Sequence, residues 1–337
     1  MKSSEYDFWI DFTNPPHVNL FVPIKNILEK NGYSTFCTAR EFVETKGMLN
    51  ERNIEYLSFG KHGGKNKISK ALNLINRNIK LVKNIPDFSI CISSSFEAAQ
   101  VSKLKNRNSI FFDDNEIAPN WLYSKFINHL FTPIWIDKKY FRQAGVAEKK
   151  IFQYPGFKEE IYIADYTPNR NFLASLPFDN YVVVRPENIK AAYVPVGVKT
   201  IVPELVKKLN SKGINVVYLP RYESDRAYIQ ESKNIHIPET PVNGLDLCYY
   251  SEGVFTGAGT IAREAAILGR SAFSFFAGKT LLQVDQKMIA QKRLFHSRDA
   301  DELISFFLKS NTSSFEKIAC QAVRNSVVDK ILQIKDE

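Results

Sequence analysis

Two arginines, a glycine-rich turn, a histidine and a row of carboxylates are the features of this chain best suited to chemistry. Val254-Phe255-Thr256-Gly257-Ala258-Gly259-Thr260-Ile261-Ala262-Arg263-Glu264 reads as a strand that ends in small residues and passes directly into a helix. Gly257, Ala258 and Gly259 let a ligand come close to the backbone, and the free N–H groups of a helix start suit a diphosphate. Thr260 can cap the helix or offer its hydroxyl. Glu264, about one turn further in, can accept hydrogen bonds from a ribose diol. The plainer alternative is a turn needed only for tight strand–helix packing. The spacing also matches G-x-G-x-x-A, but the segment sits late in the chain. The next strand end, Phe275-Phe276-Ala277-Gly278, carries no acid, which argues against a nicotinamide or flavin. Arg185 in Val184-Arg185-Pro186-Glu187-Asn188 and Arg221 in Pro220-Arg221-Tyr222 stand where each can clamp a phosphate in bidentate fashion, or serve as an ion-pair partner. His236, before Ile237-Pro238, stands at a further strand end.

The first half offers acid–base groups. In Asp11-Phe12-Thr13-Asn14-Pro15-Pro16-His17 two prolines shape the loop and His17 opens a helix. Near a helix N-terminus an imidazole is biased toward its neutral form, which can act as a base. Alternatively, Asn14 and His17 only cap the helix. Asp113-Asp114-Asn115-Glu116 places three carboxylates in four residues, fit for a base, for substrate hydroxyls or for a surface turn. A metal is not expected there, because the carboxylates are nearly contiguous and no His or Cys stands nearby. Ser93-Ser94-Ser95-Phe96-Glu97 offers hydroxyls or a helix cap. From Lys61 to Lys83 the chain has seven Lys/Arg and no acid, with Ile68, Leu72, Ile75, Ile79 and Val82 at helical spacing. This is either an ordinary surface helix with a basic face or a segment that docks on anionic membrane. His62-Gly63-Gly64 before it reads as a mobile loop.

These loops need strands and helices to hold them. Short β-rich runs (7–12, 34–38, 55–58, 88–92, 109–112, 129–131) alternate with helical patterns (18–31, 41–50, 67–84, 95–104, 119–127). The rhythm breaks around Tyr154-Pro155-Gly156-Phe157-Lys158-Glu159-Glu160 and restarts with strands at 181–184, 215–219, 235–237, 254–256 and 271–275. Helical patterns fall between these later strands, and a last amphipathic segment follows at 314–334. Such alternation means parallel sheets with helices on both faces. At 337 residues, two domains of about 150 residues are expected: 1–158, 159–312 and a C-terminal helix, 313–337, free to pack across the domain junction. Ligands of such sheets bind beyond the carboxyl ends of the strands, in a cleft. No run of about 18 apolar residues spans a membrane, and the N-terminus lacks a secretory pattern. Cys37, Cys91, Cys248 and Cys320 are scattered, as reduced cytoplasmic thiols are. The net charge of +9 favours acidic partners without selecting one, and no nucleic-acid module is present.

Several of these motifs together resemble the prokaryotic family known as domain of unknown function 354: Trp9-Ile10-Asp11-Phe12-Thr13-Asn14-Pro15-Pro16-His17-Val18, Thr38-Ala39-Arg40, Gly60-Lys61-His62-Gly63-Gly64, Asp114-Asn115-Glu116, Tyr154-Pro155-Gly156 with Lys158-Glu159, and Gly257-Ala258-Gly259-Thr260. The resemblance spans nearly the whole chain. The family looks like a branch of the GT-B superfamily of sugar-nucleotide glycosyltransferases and non-hydrolysing UDP-N-acetylglucosamine 2-epimerases. That implies two Rossmann-like domains facing across a cleft, a C-terminal helix crossing back, a nucleotide held mainly by the second domain, and no obligatory metal or cofactor. Against the epimerase pattern, Asn14 replaces an arginine, Val184 a histidine, and Ser93-Ser94-Ser95 a loop with an acid. Glu116, and Gly257 to Gly259 with Glu264, match it. The resemblance therefore implies transfer from a nucleoside-diphosphate sugar to a glycan or lipid-linked acceptor, with sugar-nucleotide epimerisation or hydrolysis as the alternative. His17, Asp114 and Glu116 are the catalytic candidates. Asn14, Arg185, Arg221, His236, Gly257, Ala258, Gly259, Thr260 and Glu264 are the candidates for holding the sugar nucleotide.

Overall fold

The chain folds into two compact units, Met1–Ala164 with Ala319–Glu337, and Asp165–Ile318. The computed structural model describes residues 5–61, 67–191, 193–230 and 232–337, with the side chains of 61 and 67–71 excepted.

The first unit runs β1 (Tyr6–Phe12), α1 (Pro15–Lys30), β2 (Thr35–Glu41), α2 (Val43–Glu51), β3 (Leu57–Lys61), α3 (Lys67–Asn84), β4 (Phe88–Ser93), α4 (Phe96–Leu104), β5 (Asn108–Phe112), β6 (His129–Pro133), α5 (Lys138–Gln143), β7 (Ile151–Tyr154) and α6 (Lys158–Ile163). The second runs β8 (Val182–Arg185), α7 (Val202–Ser211), β9 (Val216–Tyr218), β10 (Ile235–His236), α8 (Gly244–Tyr250), β11 (Gly253–Thr256), α9 (Gly259–Ile267), β12 (Ser271–Ser274), α10 (Gln283–Ala290), β13 (Phe295–His296) and α11 (Ala300–Phe307). The final helix, α12 (Lys317–Asp336), leads back to the first unit, where Lys335 meets Asp7 at 2.8 Å.

Both sheets are parallel and doubly wound, with orders β3-β2-β1-β4-β5-β6-β7 and β10-β9-β8-β11-β12-β13. Strands such as Val182-Val183-Val184 are apolar on both faces because helices cover both sides. In α7, Val202, Leu205, Val206 and Leu209 recur at i, i+3, i+4 and i+7, and all are buried. Truncating one of them, as in Leu205→Ala, costs about 2–5 kcal/mol. In each sheet the winding reverses beside the first strand, between β1 and β4 and between β8 and β11. Those are the points where such folds take ligands.

The structure corrects several expectations. Ile151–Tyr154 is a seventh strand, paired with β6, so the polar break follows it. It is too short and too mixed to show a period. The helix expected over 119–127 shrinks to a single 3-10 turn at Asn120–Leu122, opened by Pro119 with the Asn120 side chain turned inward. β13, two residues long, is below what a pattern can show. Ser95 does cap its helix, accepting from the Ala98 N–H at 3.2 Å, whereas Asn14 makes no side-chain cap bond.

The structure refines the reading of α3. Of its apolar row, Leu72, Ile75 and Ile79 are exposed. The buried row is Arg77, Leu81 and Ile85, with Leu81 and Ile85 in a core of Trp9, Phe88, Cys91, Ala98 and Val101. Arg77 therefore leaves the basic face proposed for 61–83. The loop His62-Gly63-Gly64 lies outside the described residues.

Candidate functional site

In the first unit the carboxyl ends of β1, β2 and β4 surround a buried polar network. Asp11, fully buried, accepts through Oδ1 from Thr38 Oγ1 (2.6 Å) and Arg77 Nη2 (2.7 Å). Thr38 in turn accepts from Trp9 Nε1 at 2.8 Å. Arg77 also donates to the Phe59 carbonyl (3.0 Å) and Ser95 Oγ (3.3 Å), and lies 3.8 Å from Glu97, which pairs with Arg40. Burial pushes the Asp11 carboxyl up, but the Arg77 guanidinium and the Thr38 and Ser95 hydroxyls outweigh it and hold its pKa below the ordinary value. Gly60 completes the arrangement. Its φ is +82°, and a Cβ there would meet the Arg77 side chain at 2.9 Å. Neither Asp11 nor Arg77 stands out as a site residue in the sequence, because Arg77 lies among surface lysines and Asp11 inside an apolar strand.

Over this network sits the β1–α1 loop. The Thr13 N–H donates to His17 Nδ1 at 3.3 Å, and the Thr13 hydroxyl lies 3.1 Å from the same nitrogen. The His17 ring packs edge-on against Phe21, 5.7 Å away. Burial brings the His17 pKa down to about 4. Lys158 and Arg40 act in the same sense, while Asp11 and Asp114 oppose it. The ring is thus neutral at neutral pH, as expected, but burial is the main cause. A nitrogen that receives a backbone N–H carries no proton of its own, so this contact puts the ring proton on Nε2. In that tautomer Nε2 donates a hydrogen bond, whereas a base would need its lone pair there.

The acidic loop after β5 is also internally tied. Asp114 forms an ion pair with Lys158 (2.7 Å), and Glu116 is half-buried. Asp113, which the sequence does not separate from its neighbours, accepts from Tyr123 Oη (2.6 Å) and the Asn115 N–H (2.9 Å). Burial, aided by Asp114 and opposed by the Tyr123 hydrogen bond, pushes its pKa up to about 7. Asn14 is exposed beside this loop's neighbour, the start of α1.

In the second unit, register sets Arg185 beside Thr256, and the Gly257 N–H donates to the Arg185 carbonyl at 3.2 Å. Arg221 follows β9, the other neighbour of β8. Both arginines are half-buried. Among the described residues neither side chain makes an ion pair or hydrogen bond, and Arg221 Nε is shut off from solvent without a partner. Burial lowers the Arg185 pKa and Arg221 lowers it further, with Glu264 pulling the other way. The fold therefore gathers Arg185, Arg221, Glu264 and the start of α9 at one switch point. Thr256 Oγ1 accepts from the Ala258 N–H at 2.9 Å, shaping the turn, and Thr260 is half-buried.

The glycines have a further reason to be small. A Cβ on Gly257 would collide with Glu187, and one on Gly259 would lie 2.9 Å from Arg263 Nη1. Packing against the Glu187 backbone and Cβ alone accounts for Gly257. Glu187 is held by Thr200 Oγ1 (2.9 Å) and Arg298 (3.2 Å), and Arg263 pairs with Asp285 (2.7 Å). His236 is not brought to this group. It lies on the edge strand against Phe178, level with Val217 and so short of the carboxyl ends. An aromatic pair missing from the sequence reading, Tyr193 stacked on Phe276 (5.4 Å), stands near Arg221, whose charge acts on the Tyr193 hydroxyl. Among the described residues no three His, Cys, Asp or Glu side chains gather as metal ligands would.

Comparison with solved structures finds the same architecture. A UDP-GlcNAc 2-epimerase from Neisseria meningitidis, bound to UDP-GlcNAc, matches with a TM-score of 0.75 at 13% identity over 97% of this chain and 100% of that one. The UDP-GlcNAc 2-epimerase of Methanocaldococcus jannaschii, in complex with UDP-GlcNAc and UDP, gives 0.69 at 15% identity over 97% and 99%. The glycosyltransferase of kitacinnamycin gives 0.62 at 8% identity over 97% and 98%. At these identities the likeness is one of fold: two parallel, helix-flanked sheets of the GT-B kind. An uncharacterized protein of Methanocaldococcus jannaschii is 28% identical over 312 residues, 89% of this chain and 90% of that relative. The model described as Protein of unknown function (DUF354) matches residues 6–334, and the chain belongs to that family.

Proposed function

We propose that this protein is a glycosyltransferase that moves a sugar from a nucleoside-diphosphate sugar, a UDP-sugar first among them, to a glycan or lipid-linked acceptor. We place it in surface polysaccharide or glycoconjugate synthesis, in the cytoplasm or on the inner face of the cell membrane. One observation carries this reading: Arg185 and Arg221 lie within electrostatic reach of each other, both half-buried, and among the described residues neither side chain makes an ion pair or hydrogen bond. Two guanidiniums that repel one another are stabilised by a dianion between them, and a diphosphate supplies one in bidentate geometry. They would provide the counter-charge that a divalent cation provides elsewhere, and so need no metal. The N–H groups at the start of α9 add to it, Thr260 offers a hydroxyl, and Glu264 is the candidate for the ribose diol.

In the reaction, the bond between the anomeric carbon and the diphosphate oxygen breaks, and the nucleoside diphosphate leaves with the electron pair. The acceptor oxygen bonds to the sugar and gives up its proton. Stabilising the leaving diphosphate is the electrostatic part of catalysis. His17, Asp114 and Glu116 are the proton-handling candidates. His17 acts through Nε2, as a donor in the tautomer that the Thr13 N–H selects, or as a base if Nδ1 instead donates to Thr13 Oγ1.

Epimerisation is the second reading, favoured by the UDP-GlcNAc 2-epimerases among the similar structures. Val184, Asn14 and Ser93-Ser94-Ser95, in place of groups that chemistry uses, count against it. Thermal shifts with UDP, GDP, CDP, TDP, ADP and NAD test the site. A ligand at about 100 times its dissociation constant stabilises the fold by about 2.7 kcal/mol. A shift with a nucleoside diphosphate that is lost in Glu264→Ala supports the reading, and a shift with NAD alone overturns it. Incubation with UDP-GlcNAc by itself then separates the two chemistries, since only an epimerase or hydrolase yields product without an acceptor.

A further inference from the structure

We propose that the outward face of α3 docks on an anionic lipid bilayer. Leu72, Ile75 and Ile79 are 61%, 53% and 49% exposed, and they form one row along the helix. Single exposed aliphatics are ordinary, but a continuous row on one helix face marks a contact surface. The row is not an accident of a loose helix. The opposite face is fixed by Arg77, which reaches Asp11 at 2.7 Å, and by buried Leu81 and Ile85. Asn78 Nδ2 donates to Gln100 Oε1 at 2.6 Å and ties α3 to α4. One turn beyond Gln100, Leu104 is 72% exposed and stands between Lys103 and Lys105.

Charge selects the occupant. Lys83 continues the row one turn past Ile79, Lys80 flanks it, and both are exposed. α3 contains no acidic residue. A second copy of the chain meeting this face across a two-fold axis would press lysines against lysines. Anionic headgroups instead neutralise them while the aliphatic row enters the acyl boundary. The surface is narrower than the whole 61–83 segment, because Arg77 points inward. The inference rests on this face alone and stands apart from the transferase reading.

The test uses the full chain with vesicles of phosphatidylcholine, pure or mixed with phosphatidylglycerol. Binding should rise with the phosphatidylglycerol fraction and fall with salt. Lys80→Gln and Lys83→Gln should each weaken it about fivefold, the effect of one lysine near such a surface. Ile75→Ser with Ile79→Ser should abolish it without lowering the melting temperature, since both side chains are on the surface. Equal recovery on neutral and anionic vesicles, no binding to either, or binding unchanged in the serine variant would overturn the proposal. So would a dimer in solution that the serine variant dissolves, which would assign the face to a second copy.

Discussion

The switch points of the two sheets have the same topology and opposite electrostatics. Beside β1 and β4, Arg77 is 2% exposed and engaged by Asp11, Ser95 and the Phe59 carbonyl, with Glu97 close by. Beside β8, Arg185 and Arg221 repel one another and feel the charges of Glu264 and Asp225, but among the described residues neither side chain makes an ion pair or hydrogen bond. A buried charge with a full set of partners holds a fold together, and its removal strands the partner. A half-buried charge without such partners adds little to the fold, and the proposed function gives it a ligand instead. Arginine thus plays two parts in one protein, and only its neighbours distinguish them.

The comparison can be broken by exchanging the two outcomes. Arg77→Met should cost the most, about 3–5 kcal/mol of stability, because Asp11 is left buried and unpaired. Chemical denaturation measures it, and adding Asp11→Leu should restore part of the loss while Arg77→Met alone leaves UDP affinity near wild type. Arg185→Ala should do the reverse. UDP binding by calorimetry should weaken about 10- to 100-fold, the equivalent of about 1.5–3 kcal/mol for hydrogen bonds to a charged group. The unliganded protein should melt no lower, since a like-charge repulsion has been removed. If Arg185→Ala unfolds the protein and Arg77→Met weakens nucleotide binding, the contrast is inverted.

His17 sharpens the picture of the first unit. Nitrogen-detected NMR should show a neutral ring with the proton on Nε2, and no titration until the pH nears 4. If His17 is a donor, His17→Gln should keep more turnover than His17→Ala. If it is a base, the two variants should be equally dead. The smallest effects are the pH slopes of stability. His17 is depressed from 6.5 to about 4, so the unfolded state takes up its proton first, and stability falls as pH drops through that window. Asp113 is raised from 3.8 to about 7, so its contribution is present below 3.8 and is lost as pH rises toward 7. Denaturation of His17→Ala and Asp113→Asn across pH 4–7 should therefore remove slopes of opposite sign.

The alternating strands and helices and the glycine turn at Gly257 were legible in the residues themselves, while the GT-B kind of architecture was implied by the family resemblance. Hydrophobic period and turn residues are local properties, readable within ten residues. Local period did not decide which face of α3 is buried: the row Leu72, Ile75 and Ile79 is exposed, and the buried face carries Arg77, paired with Asp11 66 residues away. Ile151–Tyr154 was missed because four residues beside a polar break show no period, and only pairing with β6 makes them a strand.

What the sequence determined by itself is which residues stand at strand ends, because that follows from the chain's local periodicity. Strand order decided the rest. Arg185 and Arg221 are 36 positions apart and meet because β9 lies beside β8, and Thr256 joins them because β11 takes the other side. His236 ends a strand too, yet that strand is at the sheet edge and short, so its ring turns to Phe178. Proximity between distant segments is settled by which strands pair and at what register, and those choices are made by the packing of the whole sheet and its helices rather than by any one segment.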